Sequence, residues 1–471
     1  MSVLEALKGA QLELSAIPSY AGKAARLSQL TRLLAGELFG MIRVIPFGVR
    51  AFWTYRRLPL LSRTLHAGHT EVTISRGLRY APAERTLMDV YAPATQRVHG
   101  RLLPVALFCH GGVWAHGERW HYAPMAKRLA QAGILTAVIG YSLYPQASTH
   151  QMGVEVSQAL SWIQDHAGDY GGNPEKISLV GHSAGAHLAM MALLGRAKAA
   201  RAQKMGKAQA TSDARLPSQL IGMCGVYDIA RHYAYEEGRG VASLSTMKRA
   251  VGGAAGFAAA SPAVILAQAA PSQASDGQAQ SSTGKLSAIT AQLQGRALGQ
   301  AVSQARPGLF AAPTFQKGSA ADQRNTSRTN LPPAPSSPSA IAGGLSDALQ
   351  SEQAKPVPDT AQQGSSLRPT RSEPASQPAI MSFSLEEASM LPPVILMHGV
   401  QDLTVPRQQS LEMAWQLHDA KVAHEQLLYK DASHADFATD WHPLPSTQAQ
   451  PAHQSPDFAA DLIHLLGGSP K

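Results

Sequence analysis

The chain has 471 residues, a formal net charge of +9 and two cysteines, Cys109 and Cys224. Two cysteines in apolar, strand-like runs exclude a disulfide framework and a zinc-finger spacing, and read as reduced core thiols with no metal. The positive charge is uneven: residues 1–80 hold 11 Lys/Arg against 4 Glu, but no basic cluster recurs within the domain that follows and no nucleic-acid module signature appears, which argues against nucleic acid as a partner.

The N-terminal region, residues 1–65, carries the stretch "ELFGMIRVIPFGVRAFWTYRRLPLL". Aromatic and aliphatic side chains interleave there with Arg43, Arg50, Arg56 and Arg57. The arginines and Pro46 interrupt what would otherwise approach the roughly 20 apolar residues of a membrane span. Three readings stand: a basic amphipathic segment lying on an anionic membrane face, a helix packed on the domain with its arginines in water, or a transit peptide, which Glu5 and Glu13 count against.

"RGLRYAP" and "RTLMDVYAP" then read as a hairpin joined around Pro82-Ala83. "PVALFCHGG" (104–112) is a strand ending in a glycine pair, 125–133 a helix stopped by Gly133, 134–143 a buried strand and 152–171 a helix. Further apolar strands fall at 177–180, 220–228, 392–402 and, within 424–437, at 426–429. The basic stretch 196–215 reads as a solvated helix extension or loop. Continuous apolar strands alternating with helices predict a mostly parallel sheet covered on both faces.

Within this frame, Gly181-His182-Ser183-Ala184-Gly185 joins a strand to a helix and fits a nucleophile elbow. A sharp turn there needs small residues two before and two after the serine, and it presents Oγ at a helix N-terminus. Gly111 and Gly112 (or Val113), together with Ala184, are the expected oxyanion donors, because a strand ending in Gly-Gly lets backbone N–H groups turn inward. Asp402, in a loop just past an apolar strand, is the expected acid; Asp419, Asp431 and Asp436 are the competing candidates. Of 18 histidines, His434 lies in a small-residue loop after the last strand and completes the order Ser183, Asp402, His434. His464 reads as a surface or packing residue, His182 as the variable elbow position, and His187 as pointing along the following helix.

From about 267 to 380 the composition shifts to Gln, Ser, Ala, Pro and Gly, with Phe310 and Phe315 as its aromatic residues. Such a tract cannot bury enough apolar surface to offset its ordering entropy and reads as a disordered insertion. It divides the catalytic domain into 66–266 and 381–471.

"HGGVWAHG", "GYSLYPQAS", "DYGGNPEKISLVGHSAGAHLA", "HGVQDLTVP" and "YKDASHADF" resemble the plant isoprenylcysteine methylesterases, within the hormone-sensitive-lipase-like carboxylesterases. The resemblance covers roughly 70–266 and 381–440. It implies the α/β-hydrolase fold, a triad of Ser183, Asp402 and His434, no cofactor, and hydrolysis of the methyl ester on a prenylated cysteine or peptide at the cytosolic face of the endoplasmic reticulum or Golgi. "GHSAGAH" also resembles kynurenine formamidases, which hydrolyse an N-formyl amide. The same residues are compatible with a general carboxylesterase, with a cytoplasmic location and, more remotely, with an inactive binding module.

Overall fold

A computed structural model describes residues 11, 14–58, 72–93, 102–207, 214–269, 380–441 and 457–468. Most of the low-complexity tract, 270–379, lies outside the described residues, as does the Pro/Gln-rich stretch 442–456.

The chain enters through a long helix, α1 (Tyr20–Arg57), capped by Ser19, whose Oγ accepts from Gly22 N–H at 3.1 Å. Arg56 and Arg57 occupy its last turn, where cations oppose the negative end of the helix dipole. Its C-terminal turns dock on the domain. Ala51 and Leu58 are buried, Tyr55 Oη donates to Asp89 at 3.2 Å, and the Arg76 guanidinium sits 4.5 Å over the Tyr55 ring. These contacts are those of a packed helix. No helix among the described residues is long and apolar enough to cross a membrane.

The hairpin expected around Pro82-Ala83 is formed by β1 (Val72–Arg79) and β2 (Leu87–Pro93), paired antiparallel. After it come β3 (Leu103–Cys109), α2 (Ala123–Gln131), β4 (Leu135–Ile139), α3 (Thr149–His166), β5 (Gly172–His182), α4 (Ala184–Lys204) and β6 (Gln219–Met223). A connecting segment holds α5 (Ile229–Gly238) and a short helix, Pro262–Ala267. The chain closes with β7 (Val394–Gly399), α6 (Gln408–Asp419), β8 (His424–Tyr429) and α7 (Phe458–Leu465).

The eight strands form one sheet in the order β1-β2-β4-β3-β5-β6-β7-β8. The β1-β2 and β2-β4 pairs are antiparallel and the other five are parallel. The central strands are apolar on both sides because both sides are covered. Val105, Leu107, Ile177, Leu179 and Leu396 pack into one core with α3 and α4, while Phe108, Val180, Ile395 and Met397 pack into the other with α2 and α7. All parallel strands therefore present their carboxyl ends to one edge, where loops carrying reactive groups converge.

One expectation changes. Residues 196–215 are not wholly solvated: α4 runs on to Lys204, and Arg196 is buried. Its guanidinium reaches Ser157, Ser161, Gln164 and the Arg215 carbonyl. A buried arginine is tolerable only with its donors occupied in this way.

Candidate active site

Ser183 stands between β5 and α4 with φ 55° and ψ −123°. A non-glycine residue in such a region is held there by its surroundings at a cost of about 1–3 kcal/mol. The neighbouring strand helps to hold it, since Ser183 N–H donates to Met223 O at 2.9 Å. The need for a small residue two places on is steric. A Cβ on Gly185 would lie 2.2 Å from Cys109 O and 2.5 Å from His110 O, so α4 can start this close to β3 only without one.

The loop after β3 comes to the same point. A Cβ built on Gly111 would lie 2.9 Å from Ser183 Cβ, which puts that backbone against the serine. Gly112, Val113 and Trp114 follow with φ of 130°, 51° and 58°. This run of left-handed backbone turns the chain sharply, and at Gly112 a Cβ would strike His116 O at 2.2 Å. Ala184 is the first residue of α4, so its N–H has no acceptor within the helix. Gly111 and Ala184 thus both border Ser183, and Gly112 follows directly in the same loop.

The expected acid and base meet directly: His434 Nδ1 lies 2.7 Å from Asp402 Oδ2. The other carboxylate oxygen accepts Thr404 N–H at 2.9 Å and Val405 N–H at 2.8 Å. Burial would raise the Asp402 pKa, but hydrogen bonds from His398 and His434 outweigh it and hold the carboxyl well below the usual range. Asp402 is therefore a fixed anion. With Nδ1–H donating to it, His434 keeps Nε2 as the nitrogen that can accept a proton.

Three histidines that motif reading did not assign take part. His398, four residues before Asp402, has Nε2 3.3 Å from Asp402 Oδ2 and 3.0 Å from Val405 O. Both neighbours are acceptors, so this nitrogen carries the proton. Its Nδ1 lies 2.7 Å from Ser410 Oγ. His182 has Nε2 3.1 Å from the His434 carbonyl, with the two rings 4.9 Å apart. Burial, then the nearby His434, lowers its pKa to about 3, so it is neutral and donates. His187 does not merely follow the helix: it accepts the Trp114 indole N–H at 3.1 Å. The sequence signal available for these residues was their spacing, His182 one before and His187 four after the serine.

Cys224, His398 and Asp402 bring donor atoms within 4.8 Å of one another. Burial raises the Cys224 thiol pKa, and the Asp402 oxygens are engaged by hydrogen bonds. A protonated thiol beside a satisfied carboxylate is a hydrogen-bonded cluster, not a set of open metal ligands.

A mostly parallel eight-stranded sheet, a strained serine between strand and helix, and a His-Asp pair beyond the next parallel strands together decide the class. The chain has the α/β-hydrolase fold. The BD-FAE family matches it over residues 88–273. It is 32% identical over 219 residues to a probable isoprenylcysteine alpha-carbonyl methylesterase of Oryza sativa subsp. japonica, covering 45% of this chain and 50% of the relative. It is 30% identical over 175 residues to the isoprenylcysteine alpha-carbonyl methylesterase of Arabidopsis thaliana, covering 36% and 40%. A kynurenine formamidase of Drosophila melanogaster is 31% identical over 153 residues, covering 32% and 45%. The chain thus spans about half the length, or less, of the curated relatives it matches.

Proposed function

We propose that the protein is a serine carboxylesterase, with Ser183 as nucleophile, His434 as general base and acid, and Asp402 as the anion that orients His434. The observation that carries this reading is the 2.7 Å His434–Asp402 contact on a loop that His182 ties to the elbow. In the forward step, Ser183 Oγ attacks the ester carbonyl as its proton passes to His434 Nε2. The carbonyl oxygen becomes an anion facing the N–H groups of Ala184 and the Gly111–Val113 loop. Collapse expels the alcohol, which takes the proton from His434. Water, deprotonated by the same nitrogen, then attacks the acyl-enzyme and releases the acid and Ser183.

For the substrate we infer the methyl ester of a prenylated cysteine, supported by the two methylesterase relatives. The formamidase relative supports an N-formyl amide as the second reading. The deciding experiment is a hydrolysis panel of a farnesylcysteine methyl ester, a short p-nitrophenyl ester and N-formylkynurenine, with fluorophosphonate labelling of Ser183. The expected result is labelling, turnover of both esters with the prenylated one preferred, and no formamide hydrolysis. Ser183→Ala is expected to abolish labelling and turnover together. Preferred hydrolysis of the formamide would replace the first reading with the second, and a wild-type protein inert to the probe would overturn both.

We further propose that α1 meets an anionic membrane surface. Its exposed side bears Ile45, Val49, Phe52 and Trp53 at 45–59% exposure. Arg56 and Arg57, stacked 6.0 and 5.2 Å from the rings of Phe52 and Trp53, lie beside them. Apolar side chains flanked by guanidinium groups suit the lipid–headgroup boundary.

A further inference from the structure

The loop Gly111-Gly112-Val113-Trp114 has to place backbone N–H groups against an oxygen bound to Ser183, yet its own conformation is unfavourable. Val113 and Trp114 are consecutive non-glycine residues at positive φ, 51° and 58°. Neither would stay there unsupported. The Val113 carbonyl is held by Thr246 Oγ at 2.6 Å and the Trp114 carbonyl by Tyr144 N–H at 2.8 Å. Those bonds tie the loop to its neighbours in the shell. A side-chain bond ties it to the helix that carries the nucleophile: Trp114 Nε1–H to His187 Nδ1, 3.1 Å, with the rings edge to face at 5.2 Å.

The polarity of that bond is determined. His187 Nε2 lies 2.7 Å from Ala260 O, an acceptor only, so Nε2 carries the proton and Nδ1 is left as the acceptor. An imidazolium would put a second proton in front of the indole N–H and break the bond. Complete burial keeps the ring neutral, lowering its pKa to about 4. His187 is also one helical turn after Ser183, and its own N–H donates to Ser183 O at 3.2 Å. Nucleophile and anchor therefore move as one rigid turn of α4.

We propose that His187 and Trp114 are a positioning pair that sets the distance between Ser183 Oγ and the oxyanion-binding loop. Neither touches substrate. His187 acts through Trp114, and Trp114 through the backbone it shares with Val113. The ligand served is the tetrahedral oxyanion of acyl transfer, so the inference rests on the esterase reading above. The Trp of "HGGVWAHG" and the last His of "GHSAGAH", which the triad leaves unused, are on this account the two halves of one contact.

The test compares the full-length chain with His187→Leu, His187→Asn and Trp114→Phe. It uses p-nitrophenyl butyrate as substrate and an aryl trifluoromethyl ketone as a reversible inhibitor whose serine adduct carries a tetrahedral oxyanion. Trp114→Phe deletes the indole N–H while keeping an aromatic ring. His187→Asn offers an amide oxygen near the Nδ1 position. For Leu and Phe, kcat is expected to fall about 10- to 100-fold with KM within about twofold, because the loop is needed most when charge develops. The ketone Ki should rise by the same factor as kcat/KM falls. His187→Asn should recover kcat to within about fivefold of wild type, and the Leu/Phe double variant should be no worse than the poorer single one, as for two ends of one contact.

Variants that lose thermal stability but keep wild-type kcat and ketone Ki would overturn the proposal and make the pair structural only. A raised KM at unchanged kcat would overturn it as well. Should His187→Leu fail to fold, Trp114→Phe decides on the same readouts. A wild-type enzyme that neither turns over the ester nor binds the ketone would overturn the esterase reading itself, an outcome distinct from active wild type with indifferent variants.

Discussion

Ser183, the proposed nucleophile, also carries a conformational cost, and the two can be separated. Its φ of 55° and ψ of −123° are accessible to glycine without penalty. Relief of about 1–3 kcal/mol of strain competes with the roughly 0.4–1 kcal/mol that an added glycine costs through the unfolded chain. Strain relief outweighs that cost, so Ser183→Gly is expected to melt a few degrees above Ser183→Ala, with both inactive. Equal melting temperatures by calorimetry would show that the elbow is unstrained. The neighbouring His182 makes a kinetic prediction. Its Nε2–H holds the His434 carbonyl at 3.1 Å, and so steadies the proposed base. His182→Leu should lower kcat by about tenfold on p-nitrophenyl butyrate, while His182→Gln, whose amide N–H can reach the same carbonyl, should lose less. A Leu variant with unchanged kcat would assign that contact to stability alone.

At the scale of the element, α1 and α4 show how one helix serves two environments. α4 begins at the proposed nucleophile and ends in a basic stretch, and Arg196 near its middle is buried against Ser157, Ser161 and Gln164 of α3. α1 buries Ala51 on the domain and turns Val49, Phe52 and Trp53 outward. If that outward side meets a membrane, each basic residue near an anionic surface adds about 1 kcal/mol, screened by salt. The full-length protein should therefore co-sediment with phosphatidylserine-containing vesicles at low salt and less so at high salt. Phe52→Ser with Trp53→Ser should reduce binding while hydrolysis of a soluble ester continues. Vesicle binding unchanged by the double substitution would leave α1 as a packing helix.

Across the whole molecule, buried titratable groups set the acid limit. Burial lowers the pKa of His110 and His182 to about 3, and of His187 and His232 to about 4. In the unfolded chain these residues take protons near pH 6.5, so between pH 6.5 and about 4 the unfolded state binds more protons and stability is lost as pH falls. At pH 5 each neutral histidine costs on the order of 2 kcal/mol. Glu236 works in the opposite sense. Burial raises its pKa to about 7, so it binds a proton on folding and stabilises below that value, but one carboxyl offsets only about one histidine. Asp402, held low, adds its loss at more acid pH. The melting temperature should therefore drop by on the order of 10 °C between pH 7 and pH 5, and a flat profile would show that the histidines titrate within the folded protein. A second prediction concerns the tract between the two halves of the domain. Gln268 Nε2 donates to Met381 O at 3.2 Å and Lys198 Nζ reaches Ser382 O at 2.6 Å, so the chain ends flanking 270–379 are already side by side. Replacing 271–378 by a short Gly/Ser linker should leave kcat on a soluble ester within about twofold, since loop-closure cost varies slowly with length. Loss of activity in a folded deletion variant would make the tract part of the substrate site.

Local patterns determined most of the strand and helix order and picked out the proposed Ser183–His434–Asp402 set. Apolar runs, glycine stops and the strand–Gly-x-Ser-x-Gly–helix turn act over a few residues, and the hairpin around Pro82-Ala83 and the elbow fall where those patterns put them, whereas the strand read as 104–112 stops at Cys109. What only the tertiary structure decided are contacts made across the sheet. His398, in β7, meets Asp402 in the following loop at 3.3 Å, yet its role depends on Val405 and Ser410 taking its other hydrogen bonds. His182 meets the His434 carbonyl from 252 residues away. Arg196 is buried because α3 offers it acceptors, although composition alone gave it to solvent. His187 and Trp114, 73 residues apart, have no shared period or composition to link them. A histidine's protonated nitrogen, and hence whether it anchors a loop or a base, is set by which acceptor the fold brings to it, and that partner is long-range.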